Sequence, residues 1–206
     1  MVRSRVSIPA RRYAAYIFDL DGTLVDSMCA HYKAWRRALL LSGAPDHVFT
    51  WNEFLAHGGR SAQDVVSSVN QKHSLQLDTA AVSSLKRQCY LDLIAHEKLS
   101  AIGETISFVL HLKRNGIPYG IGTGSLAKGA RATLAAAGIE NLFDIIITPE
   151  DVLHGKPAPD IFLKVAEILG APPDNCLVFE DAEPGLEAAA AAGMDSVQVL
   201  PPAKPF

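Results

Sequence analysis

Cysteine is scarce in this chain and none of it is paired by pattern: Cys29, Cys89 and Cys176 are far apart, odd in number and without a Cys-x-x-Cys spacing. A disulfide framework and a thiolate zinc site are therefore not expected, and buried free thiols in a reducing cytoplasm are. Long apolar runs are also missing; none reaches the ~18 residues needed to cross a bilayer, so no membrane role is expected. A concentrated basic surface is absent too. The net charge is −3, whereas phosphate-backbone binding needs a basic footprint, so the expected partner is a small molecule and not nucleic acid. Internal repeats and low-complexity tracts are lacking. Acidic residues are absent before Asp19, where Arg3, Arg5, Arg11 and Arg12 occur without the apolar core of a secretory signal. That start reads as a short basic tail, with an organellar transit peptide as the alternative.

What is present is enough apolar material for a proper core, 49% of 206 residues, in one domain or one domain carrying a smaller inserted one. Apolar runs at Ala14–Phe18, Ile117–Thr123, Phe143–Thr148, Cys176–Glu180 and Ser196–Leu200 read as strands. Between and around them Glu104–Arg114, Leu126–Ala137, Asp160–Leu169 and Gly185–Ala192 read as helices, the last closed by Gly193. This alternation predicts an α/β fold with a central parallel sheet. Crossovers in such sheets take a dozen or more residues, yet about 100 separate the first strand from the second. The surplus is helical in pattern, at Met28–Leu41, Trp51–Ala56, Ala62–Val69 and Ala80–Leu99, broken at Gly43, Gly58 and Gly59. An α-helical cap domain over residues 28–97 is expected, inserted in a Rossmann-like core of residues 1–27 and 98–206. The alternative is one long crossover packed on the sheet. Pro201, Pro202 and Pro205 are expected to end the fold.

The strand ends carry the chemistry, because the binding crevice of an open α/β sheet lies beyond the carboxyl ends of its strands. Asp19 and Asp21, at i and i+2, project to one side while Leu20 points to the other. Two such anions are stable if a cation sits between them or one is protonated, which are the conditions of a metal-assisted carboxylate nucleophile beside an acid. Gly22 and Thr23 then offer backbone N–H groups. The second strand ends in Gly122-Thr123-Gly124-Ser125 before a helix, a segment whose amides can approach a phosphoryl oxygen. Lys156, flanked by Pro157 and Pro159, supplies a cation; Glu180 and Asp181 close the fourth strand. Magnesium takes oxygen ligands, and Asp19 and Asp181, with Glu180 and the Asp21 carbonyl, make a plausible set. Taken singly, each of these residues reads as a helix cap or a surface charge. Four strand ends agreeing favour phosphoryl transfer, which requires converging charge.

With these motifs in order, from about Tyr16 to Val199, the chain resembles the haloacid dehalogenase superfamily of hydrolases with a helical cap after the first motif. The first motif is Asp19-Leu20-Asp21-Gly22-Thr23, the second Thr123, the third Lys156 in Lys-Pro-Ala-Pro-Asp, and the fourth Glu180-Asp181. The resemblance implies that Asp19 forms a phosphoaspartate, that Asp21 protonates the leaving group and then activates water, and that Asp181 holds Mg2+. The aspartate at position 21 marks the phosphotransfer branch and not dehalogenation. Within the superfamily, Asp26-Ser27, His31 and Ala34-Trp35 resemble the β-phosphoglucomutase and fructose-1-phosphate phosphatase group, which implies a sugar phosphate substrate. Ile121–Ser125 and Val178–Ala182 look more like the phosphatase. The mutases carry lysine and asparagine where this chain has Leu126 and Ala127, so a phosphatase is expected and a phosphomutase is the alternative.

Specificity is expected from the cap. Lys86 and Tyr90 lie at i and i+4 on one helix face, and the loop His57-Gly58-Gly59-Arg60 offers Arg60 or His57 to the leaving group. His31, beside the hinge, is expected to hydrogen-bond near Asp21, and Trp35 to fill the cap core. Two readings of a different class are a phosphorylation-switched receiver, which has no need of a cap-sized insertion, and a silent sugar-phosphate binder, which has no need of intact motif acids. A monomer is the default.

Overall fold

The computed structural model describes residues 6–200. Arg3 and Arg5 of the basic start, and Pro201, Pro202 and Pro205, lie outside the described residues. In chain order the elements are β1 (Ala15–Phe18), β2 (Val25–Asp26), α1 (Met28–Leu41), α2 (Trp51–Ala56), α3 (Ala62–His73), α4 (Thr79–Ile94), β3 (Ser100–Ala101), α5 (Gly103–Arg114), β4 (Tyr119–Gly122), α6 (Ala127–Ala136), β5 (Ile146–Ile147), α7 (Asp160–Leu169), β6 (Cys176–Glu180), α8 (Glu183–Ala191) and β7 (Asp195–Gln198).

Five strands form one parallel sheet in the order β5-β4-β1-β6-β7. Strand β1 is buried on both faces, as its unbroken apolar run requires. Its Tyr16 and Phe18 pack with Val109 and Leu112 of α5 and Leu134 of α6. Ala15 and Ile17 face Ile161, Phe162 and Val165 of α7 and Ala188 of α8. The result is a three-layer α/β sandwich in which each fully buried Phe or Ile contributes roughly 1.5–3 kcal/mol of transfer free energy.

Helices α1 to α4 bury their own cluster, built on Trp35, Leu39, Phe49, Phe54, Val66 and Val82. A second cluster, of Ala30, Ala34, Cys89, Tyr90 and Ile94, packs onto Ala132 and Ala136 of α6 and seats the helical insertion on the sheet layer. Capping explains the local boundaries. Thr50 and Glu53 form a reciprocal capping box on α2, and Asp78 accepts from the Ala80 and Ala81 amides at the start of α4. The three cysteines are free, and no helix of the described residues is long and apolar enough to cross a membrane.

Several expected boundaries move. The strand expected over Phe143–Thr148 shrinks to β5, because Glu140–Leu142 forms a 3-10 turn and the Thr148 hydroxyl caps another at Pro149–Asp151. The helix expected to reach Leu99 stops at Ile94; the Leu99 amide instead donates to the Ala136 carbonyl and leads the chain into β3. There β3 pairs antiparallel with β2, Val25 opposite Ala101, so both crossings into the insertion form one short ribbon. Two-residue strands are too short to show a hydrophobic period, which is why the pattern misses them.

Candidate active site

β1 lies between β4 and β6, where the order of the sheet reverses, and the crevice opens beyond its carboxyl end. Phe18 pairs with Phe179, and the Asp19 amide donates to the Phe179 carbonyl at 2.9 Å. Strand register thus sets Asp19 beside Glu180 and Asp181. Lys156, from the loop before α7, reaches the same point and donates to Asp19 Oδ1 at 2.6 Å and to Glu180 Oε1 at 2.8 Å. Only 4% of its side chain is exposed, and it rests 4.6 Å from the centre of the Phe162 ring. Burial pulls its pKa down, but the Asp19 and Glu180 carboxylates outweigh burial and hold it above the usual lysine value.

One lysine does not balance three acids. Asp19 is pushed well above the usual carboxylate range by burial and by Glu180, Asp181 and Asp21, against the pull of Lys156. Asp181 is pushed up to about 7 by burial and by Glu180. Asp19, Glu180 and Asp181 bring carboxylate oxygens within 4.8 Å of one another. A cluster of hard oxygen donors with surplus negative charge fits Mg2+. Within it Glu180 is the most committed member, with Oε1 on Lys156 and Oε2 accepting from the Ala182 amide at 2.7 Å. Asp181 Oδ1 accepts from the Thr23 hydroxyl at 3.3 Å.

Two glycines fix these acids by close approach. A Cβ on Gly22, whose φ is +85°, would lie 2.3 Å from Asp181 Oδ2, and one on Gly185 would lie 1.8 Å from Glu180 Oε1. A side chain at either place would push the carboxylate aside, and at Gly22 it would also meet a left-handed backbone.

Asp21 faces the other way. Its Oδ1 accepts from the Ser27 hydroxyl at 2.6 Å and pairs with His31 Nε2 at 3.0 Å, while Oδ2 accepts from the Ser125 hydroxyl at 2.6 Å. Burial pushes its pKa up, yet His31 and these hydrogen bonds more than offset burial and hold it below the usual carboxylate range. Lys86 Nζ stands 2.9 Å from His31 Nδ1, and 5.5 and 5.3 Å from the ring centres of Trp35 and Tyr90. Burial lowers its pKa to about 8, against the attraction of Asp21. Since lysine only donates, His31 accepts at Nδ1 and donates from Nε2 to Asp21. Burial and Lys86 both lower the His31 pKa, in keeping with that neutral ring.

Thr123 is buried, its amide donating to the Ile147 carbonyl and its hydroxyl oxygen accepting from the Ser125 amide at 3.0 Å. Gly124 is exposed beside it. The expected helix start shifts here: α6 begins at Ala127, and the Glu150 carboxylate accepts from the Ala127 amide at 2.6 Å. The cradle at residues 122–125 is therefore a loop ahead of the helix, and the protein's own acid occupies the helix end.

The cap loop divides. Gly59 backs onto Pro184, since a Cβ there would lie 2.9 Å from its ring, so the loop sits against the segment that follows Asp181. Arg60, however, is exposed, and His57 stacks on Phe49 inside the insertion with centroids 6.2 Å apart. Neither meets Asp19 or Asp21, whereas His31 and Lys86 do converge on Asp21. Ser125, expected as a phosphate ligand, instead donates its hydroxyl to Asp21. No motif gives Ser27 or Thr133 a role; the local signal for Ser27 is a serine directly before the α1 pattern, and its hydroxyl goes to Asp21 instead of capping that helix.

Residues 13–193 match the family described as haloacid dehalogenase-like hydrolase. The chain belongs to that family. Within it, this haloacid dehalogenase-like hydrolase is 36% identical over 190 residues to fructose-1-phosphate phosphatase YqaB of Escherichia coli (strain K12), covering 91% of this chain and 97% of that protein. It is 32% identical over 193 residues to hexitol phosphatase A of the same strain, covering 93% of this chain and 85% of that one. Among solved structures, β-phosphoglucomutase from Clostridium difficile superposes with a TM-score of 0.74 at 29% identity, covering 89% of this chain and 83% of that chain. The matched region contains every strand except β7 and every site residue described above.

Proposed function

We propose that this hydrolase is a Mg2+-dependent phosphatase of small phosphorylated sugars of the fructose 1-phosphate kind, working through an aspartyl phosphate on Asp19. Phosphatase chemistry accords with the family and with relatives named as phosphatases of fructose 1-phosphate and hexitol phosphates. The observation that carries the reading is the division of labour between two acids two residues apart. Asp19 is locked to Lys156, while Asp21 is turned away and held by Ser27, His31 and Ser125.

In the first step the Asp19 carboxylate attacks phosphorus and the bond to the sugar oxygen breaks, with Lys156, the Thr123 hydroxyl and the Gly124 amide neutralising the phosphoryl oxygens. Asp21 delivers a proton to the departing oxygen. It is held as a carboxylate before substrate arrives, and a phosphoryl dianion placed beside it raises its pKa, so it takes up a proton as the substrate binds. In the second step Asp21 removes a proton from water, which attacks the phosphoaspartate and returns Asp19 and inorganic phosphate. Mg2+, held by Asp19 and Asp181 with Glu180 and the Asp21 carbonyl at hand, supplies charge neutralisation when bound. Thr123, Thr23 and Gly124 line the phosphoryl seat, and Gly22, whose amide donates to the Val25 carbonyl, shapes it through its turn; His31 and Lys86 face the sugar side, while Arg60 is exposed.

Residues 28–97 act as a cap that closes over the core of residues 1–27 and 98–206 and excludes water. The protein works as a monomer in the cytoplasm, where its three thiols stay reduced. The mutase alternative draws on the resemblance to β-phosphoglucomutase. Against it stand Leu126 and Ala127 and the Glu150 carboxylate on the Ala127 amide, which place a negative charge where a second phosphate would need donors.

The test is phosphate release from fructose 1-phosphate, β-glucose 1-phosphate, 2-deoxyglucose 6-phosphate and phosphoglycolate with Mg2+. Wild-type protein should release phosphate to water from a sugar phosphate, and chelation should abolish it. Asp19→Asn should turn over at least about 10³-fold more slowly, having lost its nucleophile. Normal turnover by that variant overturns the mechanism, and return of labelled phosphate to the sugar converts the enzyme to a mutase.

A further inference from the structure

Tyr90 stands where the supports of the Asp21 carboxylate meet. It lies on α4 and is 4% exposed, its ring stacked face to face on His31 with centroids 3.9 Å apart and planes within 4°. Its hydroxyl is 2.8 Å from the hydroxyl of Thr133, a fully buried residue of α6. The same Tyr90 hydroxyl neighbours Ser27. Ser27 and His31 are the two partners of Asp21 Oδ1, and the partner of Oδ2, Ser125, stands two residues before α6. A ring of contacts thus runs from Asp21 through His31 and Tyr90 to α6, and back through Ser125.

Packing alone does not call for this hydroxyl pair. Cys89, Ile94, Ala30 and Ala34 already fill the same apolar cluster against α6. A stacked ring is held against tilting but slides readily in its own plane, whereas a buried hydrogen bond at its far end fixes the slide. The slide matters because His31 is held between the Tyr90 ring, Lys86 and Asp21.

We propose that Tyr90 is a positioning residue for the leaving-group chemistry of Asp21, its hydroxyl anchored on Thr133 so that the helical insertion presents His31 to Asp21 in one orientation. The inference rests on the reading of Asp21 as the acid that protonates the departing oxygen. Thr133, which touches neither phosphate nor acid, is the core half of the same device.

Leaving-group dependence tests it. The ratio kcat/KM reports the steps up to departure of the leaving group. A sugar alkoxide needs a proton to leave, whereas 4-nitrophenyl phosphate expels a stable phenolate without one. With Mg2+ present, Tyr90→Phe should lower kcat/KM on fructose 1-phosphate on the order of tenfold, a part of what general acid catalysis supplies, and on 4-nitrophenyl phosphate less than about twofold. Thr133→Val, which removes the hydroxyl at nearly constant volume, should do the same, and the double variant should be no worse than either single one. Asp21→Asn is the reference and should show the same selectivity, only larger. Equal losses on both substrates for Tyr90→Phe and Thr133→Val, or no loss, beside a selective loss for Asp21→Asn, overturn the positioning role and leave the acid in place. Equal losses for Asp21→Asn as well overturn the acid assignment, and the positioning role falls with it.

Discussion

The strand ends and the helical insertion solve the same problem, bringing charge to one point, by different means. At the strand ends position follows from register: Phe18 opposite Phe179 puts Asp19 beside Glu180, and the loop ahead of α7 drops Lys156 between them across 137 residues of sequence. In the insertion position follows from packing, with Lys86 and Tyr90 carried by one face of α4 and His31 by α1. The strand-end network is buried and every charge depends on its neighbour. The insertion keeps an exposed Arg60 as well as a partly buried Lys86-His31 pair. Register therefore makes the strand-end cluster all-or-none, whereas packing lets the face of the insertion turned to Asp21 be adjusted residue by residue.

The hardest way to break that contrast is Lys156→Met. Removing the ammonium leaves Asp19 and Glu180 buried without their counter-charge, a defect that costs about 3–5 kcal/mol when a buried pair is broken. Urea denaturation should show a loss of that order, and turnover should fall at least about 10³-fold. Added Mg2+ should narrow the stability gap, since a cation among Asp19, Glu180 and Asp181 replaces part of the lost charge. Unchanged stability would mean that the strand ends carry no such strain and that the contrast with the insertion is false.

A milder comparison pits Lys86→Met against Arg60→Ala. Lys86 touches His31, which touches Asp21, so its loss should lower kcat/KM for the sugar phosphate about 10- to 100-fold. Arg60 is exposed, and its loss should cost less than about threefold. The reverse order in a steady-state comparison would show that the insertion closes further on substrate and brings Arg60 inward.

The same contrast explains what was legible beforehand. A parallel sheet writes its site into the sequence, because an apolar run ending in Asp19 or in Glu180-Asp181 needs only the sheet order to become a cluster. Lys156 and Thr123 were readable for the same reason. The helical insertion was readable as helices, and the i, i+4 spacing put Lys86 and Tyr90 on one face, but nothing local says which face meets Asp21. Ser27 and Thr133 acquire their partners through contacts 6 and 43 residues away that no period encodes. Arg60 is the opposite case, since a cation on a glycine loop stands out in the sequence whether or not the loop delivers it to the site. The glycines at 22 and 185 matter only once Asp181 and Glu180 are known to lie against them.

The smallest effect expected lies wholly inside the insertion and concerns its stability. Glu53 accepts from the Thr50 amide at 2.8 Å through Oε2, and its Oε1 pairs with Lys72 and, at 3.4 Å, with His73 of α3. Burial pushes its pKa up, but the Lys72 contact and the Thr50 and His73 hydrogen bonds win and lower it from 4.5 to about 2. Because the folded state prefers the ionised form, the stabilisation is fully present above the unfolded value and is lost as pH falls from about 4.5 towards about 2. Glu53→Gln should therefore be less stable than wild type at pH 6 in urea denaturation, and the gap should close across that acid window. Turnover at pH 7 should be unaffected, since Glu53 is tied to Thr50, Lys72 and His73 and not to Asp21. A gap that persists below pH 2.5 would assign the loss to packing. A loss of turnover would mean that the α2–α3 junction, and not the His31–Lys86 face alone, sets the posture of the site.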